Sequence, residues 1–561
     1  MTGRTREAVA FARAAASVTL RGGAAFHAWV ILLLALMALG LWSYARQAAE
    51  GLAVTNMREQ VSWGLYISNF TFFVGVAAAA VLLIIPSYLY GFKPIKKIVV
   101  FGELMAVTAI MTAVLFIMAD FGRPGRLWHA LPVVGTMNFP RSILAWDMLV
   151  LGAYLSLNLF AVLYLYCRAF FGREPDKRVV LPMILLSIPM AVGVHTVTAF
   201  VYNGLGARPF WNASILAPRF LASAFCSGPA LMIIVFQVLR RVTDFQIKDS
   251  AIAKLAEIVA YAMAVNLFLL GAEAFKEYYS DTAHLAPLKY LYQGLHGKAR
   301  LVPWAWTALF LNAAGFVLFL LPGTRRRPLT LNAGCAMLFA GVWMEKGMGL
   351  VVPGFVPDAL GEIYEYAPSA VEVRVSAGII AFGALAYTLL SKAVIAIDTG
   401  RLRHPGAPPL AKEEEEEEPL ARDLMSGNVV SVGPGTAVEE VARLLLSNRI
   451  SGVPVLDGEG RVVGVVSESD IIFREIHGEP HLAERLGKMI LPEERKPARP
   501  GNTAAEIMTS PAITEAETAP LRRLIQTITE KKIKRIIIVD AEGRPAGVVS
   551  RIDIVRALEK L

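Results

Sequence analysis

The side chains here best suited to proton and electron-carrier chemistry are one histidine and a few carboxylates set inside apolar runs: His195, Asp147, Asp120 and Glu273. Tyr202, Asn203, Arg123 and Arg208 stand at the ends of those runs, and Glu103 and Glu257 stand near the opposite ends of theirs. Ionisable groups inside hydrocarbon carry a large desolvation penalty and are therefore candidate functional groups. A histidine and carboxylates at one depth, beside Trp and Tyr, suit a quinone headgroup: a donor for each carbonyl oxygen, an aromatic wall, and a proton acceptor when quinol is oxidised. Cys167, Cys226 and Cys335 lie far apart, with no CxxC or CxxCH spacing, which argues against an intrinsic iron–sulfur cluster or covalent haem. Haem b needs two histidines at one depth, whereas His27 starts the first segment and His195 lies roughly 22 Å into the fifth.

The elements that must hold these groups are membrane helices. The chain has 561 residues, 55% hydrophobic and 18% charged, with mean hydropathy +0.51. Ten apolar runs of spanning length are predicted, near 26–45, 61–88, 98–119, 143–167, 180–201, 213–239, 255–275, 303–321, 329–350 and 373–397. The first follows a basic N-terminus like that of a signal sequence, but Trp42 and Tyr44 replace a small-residue cleavage site, so it reads as a retained anchor. Counting Lys and Arg gives 22 on the side of the N-terminus and 13 on the other. Both termini are therefore expected in the cytoplasm of a bacterial or archaeal cell, and "DFGRPGRLWH" at the outer face. The net charge of +9 follows from that topology and needs no nucleic-acid partner. Gly122 and Pro124 allow a sharp turn there, with Asp120 expected to pair with Arg123 or Arg126 and Trp128 to form an interfacial wall. Arg126 is available to meet a carboxylate on a docking partner.

Beyond about residue 400 the character changes. Residues 401–419 are Pro-rich and then acidic, a solvated linker. After it the chain repeats at an offset of 83: Met425 matches Met508, Asp457 matches Asp540, and "GVVSESDI" matches "GVVSRIDI". Each copy carries a helical pattern, a β-branched strand, a D-x-x-G turn and a second strand ending in Ser-x-x-Asp, so the copies should pair into one α/β module. The pair resembles tandem CBS domains, with copies at 420–475 and 503–561 and a connector at 476–502. That resemblance implies an adenine nucleotide between the halves, with Asp470 or Asp553 accepting from ribose hydroxyls and Ser467 or Ser550 contacting ribose or phosphate. Alternatively, Ser-x-x-Asp simply caps the following helix and the module is structural or dimerising.

The membrane part carries "VSWGLYISNFTFFVGVAAAAVLL", "ADFGRPGRLWH", "SILAWDMLVLGAYL" and "VHTVTAFVYNGLGARPFWNASILAPRFLASAFCSG". These stretches resemble the NrfD/PsrC family of quinone-interacting membrane subunits, nearest its ten-helix DsrP/HmcC-like branch; the resemblance covers roughly residues 20–400 of a membrane domain expected over 1–400. The resemblance implies two four-helix bundles, segments two to five and six to nine, flanked by segments one and ten. It implies a subunit without a redox centre of its own that exchanges electrons between menaquinone or ubiquinone and an extracytoplasmic iron–sulfur subunit, with a multihaem cytochrome or catalytic subunit as a further partner. Its polar groups map best onto His195, Asp147 and Asp120, with Tyr202, Asn69 and Trp63 beside them. Glu103 and Glu257, at equivalent places in the two bundles, would form a proton path from the cytoplasm, or else pair with Lys97 and Lys254. A CBS-regulated secondary transporter and a purely structural anchor are the alternatives; Pro182 and Pro189 in segment five keep the first open.

Overall fold

In hydrocarbon, every backbone N–H and C=O must be bonded within its own segment, so the apolar runs form helices. The computed structural model describes residues 3–130, 134–282, 284–358, 360–408, 419–476 and 502–560. It divides into two units, Met1–Leu410 and Ala411–Leu561. Most of the expected linker (409–418) and inter-repeat connector (477–501) lies outside the described residues.

Among its described residues the first unit has ten helices long and apolar enough to span a membrane: Ala24–Glu50, Leu65–Tyr88, Val99–Asp120, Ile143–Phe170, Lys177–Asn203, Leu216–Val242, Asp249–Ser280, Val302–Leu320, Pro328–Phe355 and Ala370–Asp398, numbered here as spans 1 to 10. The chain is a polytopic membrane protein. Spans 2 to 5 pack in a ring as one four-helix bundle, spans 6 to 9 as a second, and spans 2 and 5 meet span 6 between them. Span 1 lies along span 10, which packs on span 3. Gly40 and Gly378 set that first crossing: a Cβ on Gly40 would stand 2.7 Å from the Gly378 Cα. Small residues permit such approach between membrane helices.

Two spans are interrupted. Span 2 runs as Leu65–Val76, turns at Ala77 and Ala78, resumes as Ala79–Ile84, and widens into a π-turn over Ile85–Leu89 that contains Pro86. Gly228 of span 6 fits against this break, where a Cβ would meet the Val76 carbonyl oxygen at 2.9 Å. Span 9 stops at Lys346 and restarts at Met348 around Gly347. One break lies in the first helix of its bundle and the other in the last, so they do not correspond. Pro182 and Pro189 sit inside a continuous helix.

The second unit is the α/β tandem module. Strands β1 (Gly452–Leu456) and β2 (Val462–Ser467) pair antiparallel. In the other copy β3 (Thr514–Ala516) runs parallel to β4 (Arg535–Val539), which pairs antiparallel with β5 (Pro545–Ser550). The copies exchange segments. Ser426 bonds Val548 of the second copy (N–H to O, 3.0 Å), and Thr509 bonds Val465 of the first (2.9 Å). Met425 fills the space that a side chain at Gly547 would need, and Met508 does the same at Gly464. Each copy thus completes the other's sheet, the physical reason for a repeat at constant offset.

Gly40→Leu should overpack the crossing of spans 1 and 10 and lower stability by about 1–3 kcal/mol. Thermal unfolding in detergent would check this, with Gly23→Leu, where no atom stands in the way of a Cβ, as the control.

Candidate functional site

Successive spans alternate in direction, so Asp120, Asp147, His195 and the start of span 6 share one end of the unit, termed the Asp120 end; Lys97 marks the other. His195 is 1% and Asp147 3% exposed. The Thr198 hydroxyl, one helical turn beyond His195, donates to Asp147 Oδ1 at 2.6 Å. His195 Nδ1 lies 2.6 Å from the Ala191 carbonyl. A carbonyl can only accept, so Nδ1 carries a proton, and Nε2 is the ring atom left to take up or give up one. That Nε2 is buried without a partner and stands by the Val74 and Gly75 carbonyls, just before the break in span 2. The break therefore places backbone acceptors where a proton on Nε2 would point.

Tyr202 ties this pair to the rest of the site. Its hydroxyl bonds that of Thr71, and Asp147 and Asp120 both lie within electrostatic reach. Its ring packs at 5.6 Å from Trp63, 5.3 Å from Trp211 and 5.9 Å from Phe220. Trp63 stacks on Trp211 at 5.5 Å. Asn69 is held by Ser376 of span 10 at 3.2 Å and by the Trp343 indole of span 9 at 2.9 Å. Asp120 departs from expectation: it makes no ion pair with Arg123 or Arg126 among the described residues, and its Oδ1 is buried without a partner. It turns inward toward Tyr66 and Glu372 because span 3 stays helical through Asp120. Nearby, the Tyr66 hydroxyl donates to Gln47, which donates to the Ala119 carbonyl, each at 2.6 Å. Glu372 caps span 10 through Ser369 and accepts from Tyr366; burial, with that carboxylate beside it, raises the Tyr366 hydroxyl far above its usual range and keeps it a donor. Arg123 and Trp128 stay exposed on the loop, Trp128 against His129 at 3.9 Å.

Toward the Lys97 end, Glu103 is buried with Oε2 unpartnered, within electrostatic reach of Tyr88, Tyr154 and Tyr166. Tyr166 donates to Asp398 at 2.9 Å, and Tyr154 faces the Ala77 carbonyl at the break at 3.4 Å. Glu257 is not its counterpart. It pairs with Lys254 at 3.2 Å and accepts from exposed Tyr261 at 3.2 Å, on an outward face of span 7.

The second bundle holds a charge cluster. Arg219, 5% exposed, pairs with Glu273 and, at 2.9 Å, with Glu345. The second oxygen of Glu345 accepts from Asn312 at 2.8 Å and Asn266 at 3.3 Å. All four spans of the bundle are thereby tied to one carboxylate. Lys346, 3% exposed, lies 3.8 Å from Glu345. Arg219 and Lys346, which lie near the ends of their apolar runs and fall within the 13 charges counted on the outer side, are thus interior. The adjacent Glu345–Lys346 pair inside an apolar run is the signal of this cluster, and hydropathy averaging passes over it.

Comparison with known proteins decides the family. The description "Polysulphide reductase, NrfD" matches residues 53–348. The chain belongs to the NrfD family. A Halobacterium salinarum protein named as a membrane component of dimethyl sulfoxide reductase is 28% identical over 392 residues, 64% of this chain and 88% of the relative. A selenate reductase component of Mesobacillus selenatarsenatis is 23% identical, covering 62% and 89%. The Hdr-like menaquinol oxidoreductase integral membrane subunit of Archaeoglobus fulgidus is 28% identical, covering 46% and 63%. CBS domains match residues 421–476 and 504–560. The protein is therefore an NrfD-family membrane protein joined to a CBS pair and similar to oxidoreductase membrane subunits; the described residues hold no group of His, Cys, Asp and Glu able to bind a metal ion.

In this NrfD-family chain the CBS pair uses its Ser-x-x-Asp motifs as helix caps. Asp470 Oδ2 accepts from the Ser467 N–H at 2.8 Å and hydroxyl at 2.6 Å. Asp553 Oδ2 accepts from the Ser550 N–H at 2.9 Å and from its hydroxyl. Each aspartate keeps its other oxygen; Oδ1 of Asp553 faces Arg556 at 4.0 Å. Capping and ligand contact are compatible, because they use different oxygens.

Arg219→Ala would leave Glu273 and Glu345 buried without their cation and should destabilise the membrane unit by about 3–5 kcal/mol. Adding Glu273→Gln and Glu345→Gln should recover much of that loss, as read by thermal unfolding in detergent.

Proposed function

We propose that the chain is the quinone-reactive membrane subunit of a respiratory oxidoreductase of the DsrP/HmcC-like type. It exchanges electrons between membrane menaquinone or ubiquinone and an extracytoplasmic iron–sulfur subunit, which passes them to or from a multihaem cytochrome or catalytic subunit. The carrying observation is His195: a buried imidazole whose Nε2 is free to accept, beside Asp147 and the Tyr202 cluster. The Lys and Arg asymmetry supports an outer Asp120 end and both termini in the cytoplasm. In quinol oxidation a hydroxyl donates to His195 Nε2, Tyr202 and Trp63 wall the ring, and the electrons leave to the partner. Asp147, held by Thr198, positions span 4 against span 5 and offers a second acceptor. In this reading Asn69 and Asp120 would border the quinone, and Arg123 and Trp128 would form its entrance and the docking face. Glu103, with Tyr166 and Asp398, gives a cytoplasmic proton route toward the break in span 2; Glu257 is left out because it is spent on Lys254.

His195→Ala should lower quinol-dependent reduction of the partner by about 10²–10⁴-fold while the complex still assembles. Unchanged turnover in a properly assembled variant would refute the assignment.

For the C-terminal pair we propose a regulatory adenine nucleotide, contacted by Asp470 and Asp553 with Ser467 and Ser550. Calorimetry of residues 419–561 with AMP, ADP and ATP should show binding in the millimolar range or tighter. Asp553→Ala should weaken it; if no nucleotide binds the folded module, dimerisation is the better role.

A further inference from the structure

Lys346 takes no part in the site above, yet it lies next to it. Its Nζ is buried without a hydrogen bond and points into a small cavity between the bundles, lined by Thr71 and Gly75 of span 2 and Phe220, Ser223 and Ser227 of span 6. The cavity has room for about one water. Thr71 is the residue bonded to the Tyr202 hydroxyl, and Phe220 has Tyr202 at 5.9 Å and Lys346 Nζ at 5.4 Å from its ring centre. The charged and titratable groups facing Lys346 are Glu345, Arg219 and Cys226. On the far side, carboxylates continue outward: Glu345 and Glu273 flank Arg219 and line a cleft with Tyr292, and Glu277 follows Glu273 by one helical turn. Glu277 Oε1 meets Lys276 at 2.7 Å, its Oε2 is unpartnered, and the Lys276 side chain is 59% exposed.

We propose that Lys346 accepts one of the two protons of quinol oxidation and that this proton leaves through the second bundle along Glu345, Glu273 and Glu277. The inference rests on the quinone reading above. In the step, a quinol O–H bond breaks and an N–H bond forms at Nζ, with the Tyr202 and Thr71 hydroxyls and a water in the cavity each passing one proton on. The other proton goes to His195 Nε2, and both electrons go to the iron–sulfur partner. Charge favours the transfer. With neutral Lys346 the cluster of Arg219, Glu273 and Glu345 carries net charge −1, and with the ammonium it carries none, so the proton arrives where a buried negative charge is left over.

The test uses the full chain assembled with its iron–sulfur partner, menaquinol as substrate and a non-oxidisable quinol analogue as binding probe. Lys346→Met should bind the analogue within about threefold of wild type yet turn over at least about tenfold more slowly, with one ionisation gone from the pH–rate profile. Lys346→Arg should not restore it, because a guanidinium does not release its proton. Wild-type turnover and pH profile in Lys346→Met would overturn the proposal, as would full rescue by arginine, which would make Lys346 a fixed countercharge. Should Lys346→Met fail to fold, Thr71→Val removes a hydroxyl of the relay with little change of volume and keeps every charge; it must slow the same step, and normal turnover would overturn the route. A wild-type complex that neither binds the analogue nor oxidises menaquinol would instead overturn the quinone reading, and the two failures are thereby distinct.

Discussion

Without water in the hydrocarbon, a polar group in the membrane must find its partner inside the protein or wait for one. Most buried polar groups in the first unit have found theirs, and those partners fix the architecture. Glu345 is the plainest case: Arg219, Asn266 and Asn312 converge on it from three other spans, so the second bundle closes around one carboxylate. The groups left waiting then stand out. His195 Nε2, Asp120 Oδ1, Glu103 Oε2 and Lys346 Nζ are all buried and unpartnered. In a medium where such groups carry a large penalty, they are where a ligand or a proton can be accommodated.

The break in span 2 links these waiting groups. The Val74 and Gly75 carbonyls just before its turn lie beside His195, and the Ala77 carbonyl in the turn faces the Tyr154 hydroxyl. Gly228 of span 6 is what lets the second bundle close on it. Irregular backbone at this depth is tolerated only where protein or a polar cavity surrounds it, and both conditions hold here.

Much of this is legible in the sequence. Spanning helices announce themselves by run length alone, and His195 and Asp147 stand out because so little else in their segments is polar. What the sequence leaves open has a common cause: hydropathy locates a residue along a helix but not around it. Glu103 and Glu257 have similar depth and opposite facing, one toward the bundle interior and the other toward Lys254 and Tyr261. Arg219 and Lys346 lie close enough to segment ends to pass for loop charges, yet they point inward. The cations nearest Asp120 in sequence suggest an ion pair on the loop, whereas the helix geometry of span 3 turns it toward span 10. The repeat of the C-terminal unit is visible as a constant offset, but the exchange of Met425 and Met508 between copies is a tertiary fact that no periodicity carries.

The two bundles are alike in helix count and packing order but differ in electrical character. The polar groups of the first are neutral or singly anionic and lightly bonded: one histidine, carboxylates with a single hydroxyl donor or none, tyrosines. Those of the second centre on an ion-paired core, Arg219 with Glu273 and Glu345, to which the Asn266 and Asn312 amides are bonded. A site that must admit an uncharged ring is better built from lightly bonded groups than from saturated ion pairs, which would have to be broken to make room for it. A rigid ionic core is, however, what can hold a neighbouring lysine at a fixed position and offset its charge. On this reasoning the asymmetry between the bundles is a division of labour, with the break in span 2 and the hydroxyl-lined cavity beside it as the seam across which the two halves communicate.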